Sequence, residues 1–173
     1  YLFDKPAAMR AFVHACEAAQ AAKRKIALTL SDGFCVDRHR DSFRQLIRTH
    51  ADLVFANEGE LLSLYETDDF DEALVQIRND SQMAAVTRSE KGSVIIAGSD
   101  TWRLKALPVD QVVDATGAGD QYAAGVLYGL THGLTPPEAG ALGHMCAMEV
   151  ISHLGPRPAT SLREMAGQLG LKV

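Results

Sequence analysis

Short apolar segments of strand length alternate with longer helix-forming segments along this chain, and that alternation leaves few folds open. Lys25 to Ser31 (KIALTLS) is an apolar run that Asp32-Gly33 closes as a turn would. Asp52 to Ala56 (DLVFA) and Ala84 to Thr87 (AAVT) have the same character. Between and around them lie segments of helical character: an Ala-rich stretch over 6–24 with Pro6 at its start, Asp37 to Arg48 with Phe43, Leu46 and Ile47 apolar, Asn57 to Tyr65, and Phe70 to Arg78. Ser93 to Ala97 and Thr101 to Lys105 flank Gly98-Ser99-Asp100, which predicts a β-hairpin. Further helices are predicted from the Gly-rich segment before Asp120 to about Leu130, from the Thr135-Pro136-Pro137-Glu138 cap to about Ser152, and from Ser161. Strands alternating with helices predict an α/β fold, a mostly parallel sheet with helices on both faces. Tyr1-Leu2-Phe3 reads as the tail of another buried strand, so sequence before Tyr1 is expected to be missing. With no internal repeat, low-complexity tract or linker, 1–173 is expected to be one domain.

Composition narrows the partners. The net charge of -5 argues against nucleic acid or an anionic membrane as a partner, while small phosphorylated ligands stay open because backbone N–H groups bind them without a basic surface. The three cysteines, Cys16, Cys35 and Cys146, form no CxxC pair, which points away from zinc ribbons and disulfide scaffolds and toward a reducing, cytoplasmic setting. No apolar run approaches the roughly 18 residues of a membrane span, and the first residues do not resemble a signal peptide.

The chemistry concentrates in Asp114-Ala115-Thr116-Gly117-Ala118-Gly119-Asp120. Three small residues let the backbone turn tightly into a helix whose first N–H groups face outward as an anion cradle. Asp120 falls in the same first turn. A carboxylate beside a phosphate cradle is awkward for binding alone, but it suits a base that deprotonates an attacking hydroxyl while the N–H groups stabilise the transferred phosphoryl. The plainer alternative is an acidic residue favoured by the helix dipole after an ordinary Gly-rich turn. GxxxxGK[ST], HExxH and GxSxG are absent, and Tyr122 stands where the third glycine of GxGxxG would be.

DATGAGDQYAAGVL (114–127) resembles the C-terminal signature of the ribokinase-like, phosphofructokinase-B type carbohydrate kinase family, with Ala115 for the commoner Thr and Tyr122 for the commoner Phe. Two further segments resemble family motifs in the expected order. Asn57-Glu58-Gly59-Glu60 is similar to its NxxE motif, although Asn57 and Glu60 also read as a helix cap. Val86-Thr87-Arg88-Ser89-Glu90-Lys91-Gly92-Ser93 is similar to its VTxGxxG segment, with Ser89 in place of the first Gly, although alone it reads as a solvated β-turn.

The resemblance implies ATP-dependent phosphotransfer to a primary hydroxyl of a sugar or nucleoside. Asp120 would be the base, and Gly117, Ala118 and Gly119 the anion hole. Thr87, Gly92 and His144 would line the nucleotide pocket, His144 being otherwise a partly buried helix histidine. Asn57 and Glu60 would hold Mg²⁺ through water, and Asp114 and Thr116 a monovalent cation such as K⁺, with 153–155 as partner. The tail Glu149 to Pro158 is similar to bacterial members classed with adenosine kinase, which implies a ribose-type acceptor. Family members run to about twice this length, so the N-terminal strands, lid and acceptor site are expected to be absent, isolated turnover to be weak, and exposed apolar edges to favour self-association. The alternatives are a non-catalytic nucleotide-binding module and, less compatible with the late Gly-rich loop, a Rossmann- or flavodoxin-like cofactor domain.

Overall fold

The computed structural model describes residues 2–168 and Gly170. The fold is α/β: a mostly parallel five-stranded sheet in the order β1-β2-β3-β4-β5, with seven α-helices among the described residues. The strands are β1 (Ala27–Thr29), β2 (Leu53–Asn57), β3 (Met83–Thr87), β4 (Ser93–Ala97) and β5 (Asp100–Leu104). The helices are α1 (Pro6–Ala21), α2 (Gly33–Thr49), α3 (Glu58–Tyr65), α4 (Phe70–Asp80), α5 (Ala118–Thr131), α6 (Pro136–Ile151) and α7 (Leu162–Gln168). β1 and β2 pair in parallel, Leu28 opposite Val54. No helix among the described residues is long and apolar enough to cross a membrane.

The chain forms two compact units. One runs up to Val86 and includes Ile96–Asp100; the other consists of Thr87–Ile95 and the described residues from Thr101 onward.

In the first unit, α2 packs on α3 and α3 on α4. Their buried residues are mostly apolar: Val36, Phe43, Leu46 and Ile47 on α2, Leu61 and Leu64 on α3, and Ala73, Leu74 and Ile77 on α4. Two local expectations are corrected here. Leu2–Asp4 is a 3-10 turn and not a strand tail, while Tyr1 lies outside the described residues. Asp32-Gly33 does not only close β1: the Asp32 carboxylate accepts the Phe34 N–H at 3.0 Å, so α2 starts at Gly33, four residues before the expected Asp37. A break in helical geometry at His39 (φ -128°, ψ 25°) divides that helix, which its amphipathic pattern does not reveal.

The second unit is built on α5 and α6. These helices approach so closely that a Cβ on Gly125 would lie 2.7 Å from the Gly143 Cα, and one on Gly129 would lie 2.9 Å from the Ala139 Cα. Small residues four apart on each helix thus let the two backbones touch. α6 opens as its sequence predicts, Pro136 leading the helix while the Glu138 carboxylate accepts the Thr135 N–H at 2.8 Å. α7 covers the end of the pair, with Ala166 buried beside Leu142, Met145 and Cys146.

Because the obstacles at Gly125 are backbone atoms, no side chain can swing away to admit a methyl group. Gly125→Ala is therefore expected to destabilise the chain by about 2 kcal/mol, as overpacked interiors do. Urea unfolding of the variant beside the parent chain measures this.

Candidate functional site

The turn that enters α5 depends on one backbone angle. Gly117 has φ 80° and ψ 1°, in the left-handed region, and a Cβ there would lie 2.6 Å from the Pro156 Cβ. A side chain is excluded twice, by conformation and by contact. Beyond this kink the Gln121 N–H bonds the Gly117 carbonyl at 2.9 Å and the helix begins. The Ala118 N–H turns back to the Ala115 carbonyl at 3.2 Å, whereas the N–H groups of Gly119 and Asp120 have no protein acceptor among the described residues. These free donors at a helix N-terminus are suited to an anion. Asp120 is exposed in the same turn.

Asp114 holds the entrance to this turn. One of its carboxylate oxygens accepts the Thr116 N–H at 2.9 Å and the other accepts the Gly155 N–H at 3.0 Å. The Thr116 hydroxyl and amide, with the Gly155 amide, hold the Asp114 carboxyl below its ordinary value. The loop around 153–155, paired with Asp114 and Thr116 by the sequence reading, thus meets Asp114 directly.

Gly119 also lines a cavity of about 200 Å³ in the second unit, together with Thr87, Ser89, Leu107, His144 and Met148. Three residues from separate sequence segments, Thr87, Gly119 and His144, therefore share one wall. A Cβ on Gly119 would meet nothing within 4 Å, so that position opens onto free space. Ser89, which replaces a glycine of the similar motif, adopts φ 52° and so keeps the left-handed geometry that glycine would supply. Gly92 does not line this cavity. Its φ is 92°, and a Cβ on it would lie 1.9 Å from the Leu104 carbonyl oxygen; here glycine serves the close passage of two backbone segments.

His144 is buried, and both of its ring nitrogens have partners. Nδ1 lies 2.8 Å from the Lys105 carbonyl oxygen and Nε2 lies 2.8 Å from the Ser93 hydroxyl. A carbonyl only accepts, so Nδ1 carries the proton and Nε2 accepts from Ser93. The Tyr122 hydroxyl in turn donates to Ser93 at 2.9 Å. This buried chain satisfies each member only when the imidazole is neutral. Burial accordingly lowers the His144 pKa from 6.5, more than the Lys105 carbonyl raises it, and it pushes the Tyr122 phenol up to about 12.

Asn57 and Glu60, in the first unit, meet each other in a capping box at the start of α3. The Glu60 N–H donates to the Asn57 side chain at 2.8 Å, and the Glu60 carboxylate accepts the Asn57 N–H at 2.9 Å and the Asn57 side-chain amide at 2.8 Å. Glu60 is only 7% exposed, unusual for a carboxylate. Burial raises its pKa, the Asn57 amide partly opposes this, and the charge of Asp32 adds to the rise. Both Glu60 oxygens are thus already engaged by Asn57.

Ser93, Tyr122 as a hydrogen-bond donor, Glu149 and Pro156 complete these surroundings without a local signature in the sequence. Tyr122 is the aromatic position of the 114–127 signature, and Ser93, Glu149 and Pro156 fall in the quoted 86–93 and 149–158 segments, but nothing in those segments marks the bonds they make.

Comparison with known proteins identifies a family. A model of the family described as pfkB family carbohydrate kinase matches residues 2–162. A solved probable sugar kinase from Rhizobium etli superposes with a TM-score of 0.96 at 48% identity, covering 99% of this chain and 52% of that one. A solved adenosine kinase from Sinorhizobium meliloti gives a TM-score of 0.94 at 49% identity, covering 98% of this chain and 52% of that one. A cytidine kinase from Thermococcus kodakarensis is 32% identical over 68% of this chain and 43% of its own length. The chain thus spans about half the length of these relatives.

The His144 chain has a pH signature. Its folded pKa is depressed, so the unfolded state binds the proton more readily and the stability His144 contributes is lost as pH falls below 6.5. His144→Leu is expected to flatten the fall in stability between about pH 5 and 6.5 while lowering stability at neutral pH by about 1–3 kcal/mol, because Ser93 and Lys105 lose their partner. Denaturant midpoints across that pH range, parent against variant, read both effects.

Proposed function

The chain belongs to the pfkB family of carbohydrate kinases, and from that membership we propose that it is the C-terminal, nucleotide-binding part of a kinase domain that transfers phosphate from ATP to a primary hydroxyl of a sugar or nucleoside. The observation that carries this reading is the pair of free N–H groups at Gly119 and Asp120, at the edge of a cavity that Gly119 and Thr87 share, with the Asp120 carboxylate in the same turn. The amides of Gly117, Gly119 and Asp120 form the anion hole, while Ala118, whose N–H is spent on the Ala115 carbonyl, shapes the turn between them. In the reaction Asp120 takes the proton of the acceptor hydroxyl. The freed oxygen then attacks the γ-phosphorus while the bond to the leaving ADP oxygen breaks. The N–H groups stabilise negative charge on the phosphoryl oxygens during this transfer.

Thr87 and His144 border the nucleotide, with His144 offering ring surface because its nitrogens are already bonded. Gly92 shapes the neighbouring backbone. Asn57 and Glu60 are the residues proposed to hold Mg²⁺, through water. A monovalent cation is proposed beside Asp114 and Thr116. Similarity to an adenosine kinase and a cytidine kinase favours a ribose-bearing acceptor.

Calorimetric titration with ATP and Mg²⁺ tests this reading on three chains. The parent chain is expected to bind. Gly119→Val fills open space without a clash inside the protein, so it is expected to keep its stability and to lose at least about tenfold in affinity. Asp120→Asn is expected to bind as well as the parent, with any phosphotransfer reduced by about 10²-fold or more. Undiminished binding by Gly119→Val would contradict the anion hole, and undiminished transfer by Asp120→Asn would contradict the base.

A further inference from the structure

Glu149 occupies a position that elementary electrostatics disfavours. It is 6% exposed and lies in the last turn of α6, where the helix dipole repels an anion. Donors gathered on one of its two oxygens offset part of that cost, while the other oxygen faces His153 without a hydrogen bond. One carboxylate oxygen accepts the Ala159 N–H at 2.8 Å, the Thr160 N–H at 2.9 Å and the Thr160 hydroxyl at 3.1 Å, and the other lies 3.3 Å from His153 Nε2. Burial would raise the Glu149 pKa, but the Ala159 amide, His153 and Thr160 together hold it below the ordinary value.

The segment that Glu149 grips is the one that braces the anion turn. Between His153 and Thr160 lie Gly155, whose N–H bonds Asp114, and Pro156, which stands against Gly117. The Pro156 carbonyl also accepts the Gln121 side-chain amide at 3.2 Å. Two residues beyond Glu149, the Ile151 carbonyl accepts the Val113 N–H at 2.8 Å. Both sides of the turn are thus tied to the C-terminal end of α6, and the 153–160 side is tied there through one buried carboxylate.

We infer that Glu149 is a positioning residue for phosphate binding: by clamping Ala159 and Thr160 it holds the 153–160 loop as the wall against which the Gly117 turn is shaped. The clamp is a claim about the fold, and its effect on nucleotide rests on the function proposed above. Glu149→Gln keeps a carbonyl oxygen for the Ala159 and Thr160 donors, whereas Glu149→Ala removes the acceptor.

Amide hydrogen exchange and ATP–Mg²⁺ calorimetry on the 173-residue chain separate the two links. Glu149→Ala is expected to speed exchange at the Thr116 and Gly155 amides by about tenfold or more and to weaken ATP binding by a similar factor, with Glu149→Gln close to the parent in both. Thr160→Val removes one of the three bonds and should speed exchange at the same two amides by a smaller factor. It decides the matter if Glu149→Ala does not fold. Unchanged exchange at Thr116 and Gly155, or equal effects of Gln and Ala, would overturn the clamp. The expected acceleration of exchange in Glu149→Ala, with no ATP binding by the parent chain, would leave the clamp standing and overturn the proposed function.

Discussion

The contact between Gly117 and Pro156 is the constraint on which the rest of the site depends. Gly117 turns through the left-handed region, and Pro156 occupies the space in which any side chain would have to fit. That turn sends the Gly119 and Asp120 amides outward without internal acceptors, and it places the Asp120 carboxylate one residue beyond Gly119. If the turn relaxed, the two donors and the Asp120 carboxylate would lose their fixed positions in one helix turn. Hydrogen bonds to Asp114, Gln121 and Ile151 all act around this point.

Buried polar groups show where the structure accepts an energetic cost. The buried polar or charged residues among those described are Glu60, Ser93, His144 and Glu149. Each belongs to one of the arrangements above: the α3 cap, the Tyr122–Ser93–His144 chain, or the clamp on 153–160. A buried polar side chain is stable only when its hydrogen bonds are made, so such groups fix geometry more sharply than apolar packing does. In the second unit this rigidity surrounds the cavity and the Gly117 turn. The glycine-lined contact of α5 with α6 supplies the apolar counterpart.

Much of the fold was legible because its signals are local. The apolar runs read at 25–31, 52–56, 84–87 and 93–97 each coincide with a strand, and Asn57 and Thr135 open helices as their side chains suggest. DATGAGD marks its turn because glycine is needed where φ is positive. The misses are equally physical. Leu2 and Phe3 are apolar enough for a strand but adopt a 3-10 turn whose Asp4 carboxylate bonds Arg38 on α2. The break at His39 accompanies a bond to that same distant Asp4, which no window of α2 contains. Glu149 is another such case: in the sequence it is one acid in a helix, and only the return of the chain at 159–160 gives it a role. Gly92 illustrates the converse, a motif glycine whose need lies in the passage of Leu104.

The most direct test of the central claim, that the Gly117 turn is a phosphate-binding turn facing the cavity, is a ¹H–¹⁵N correlation titration of the chain with ATP and Mg²⁺. The largest shifts are expected on the amides of Gly117 to Asp120, accompanied by Thr87, Leu107 and Met148 around the cavity. Shifts confined to other residues, or a folded chain whose 117–120 amides do not move at millimolar ATP, would contradict it.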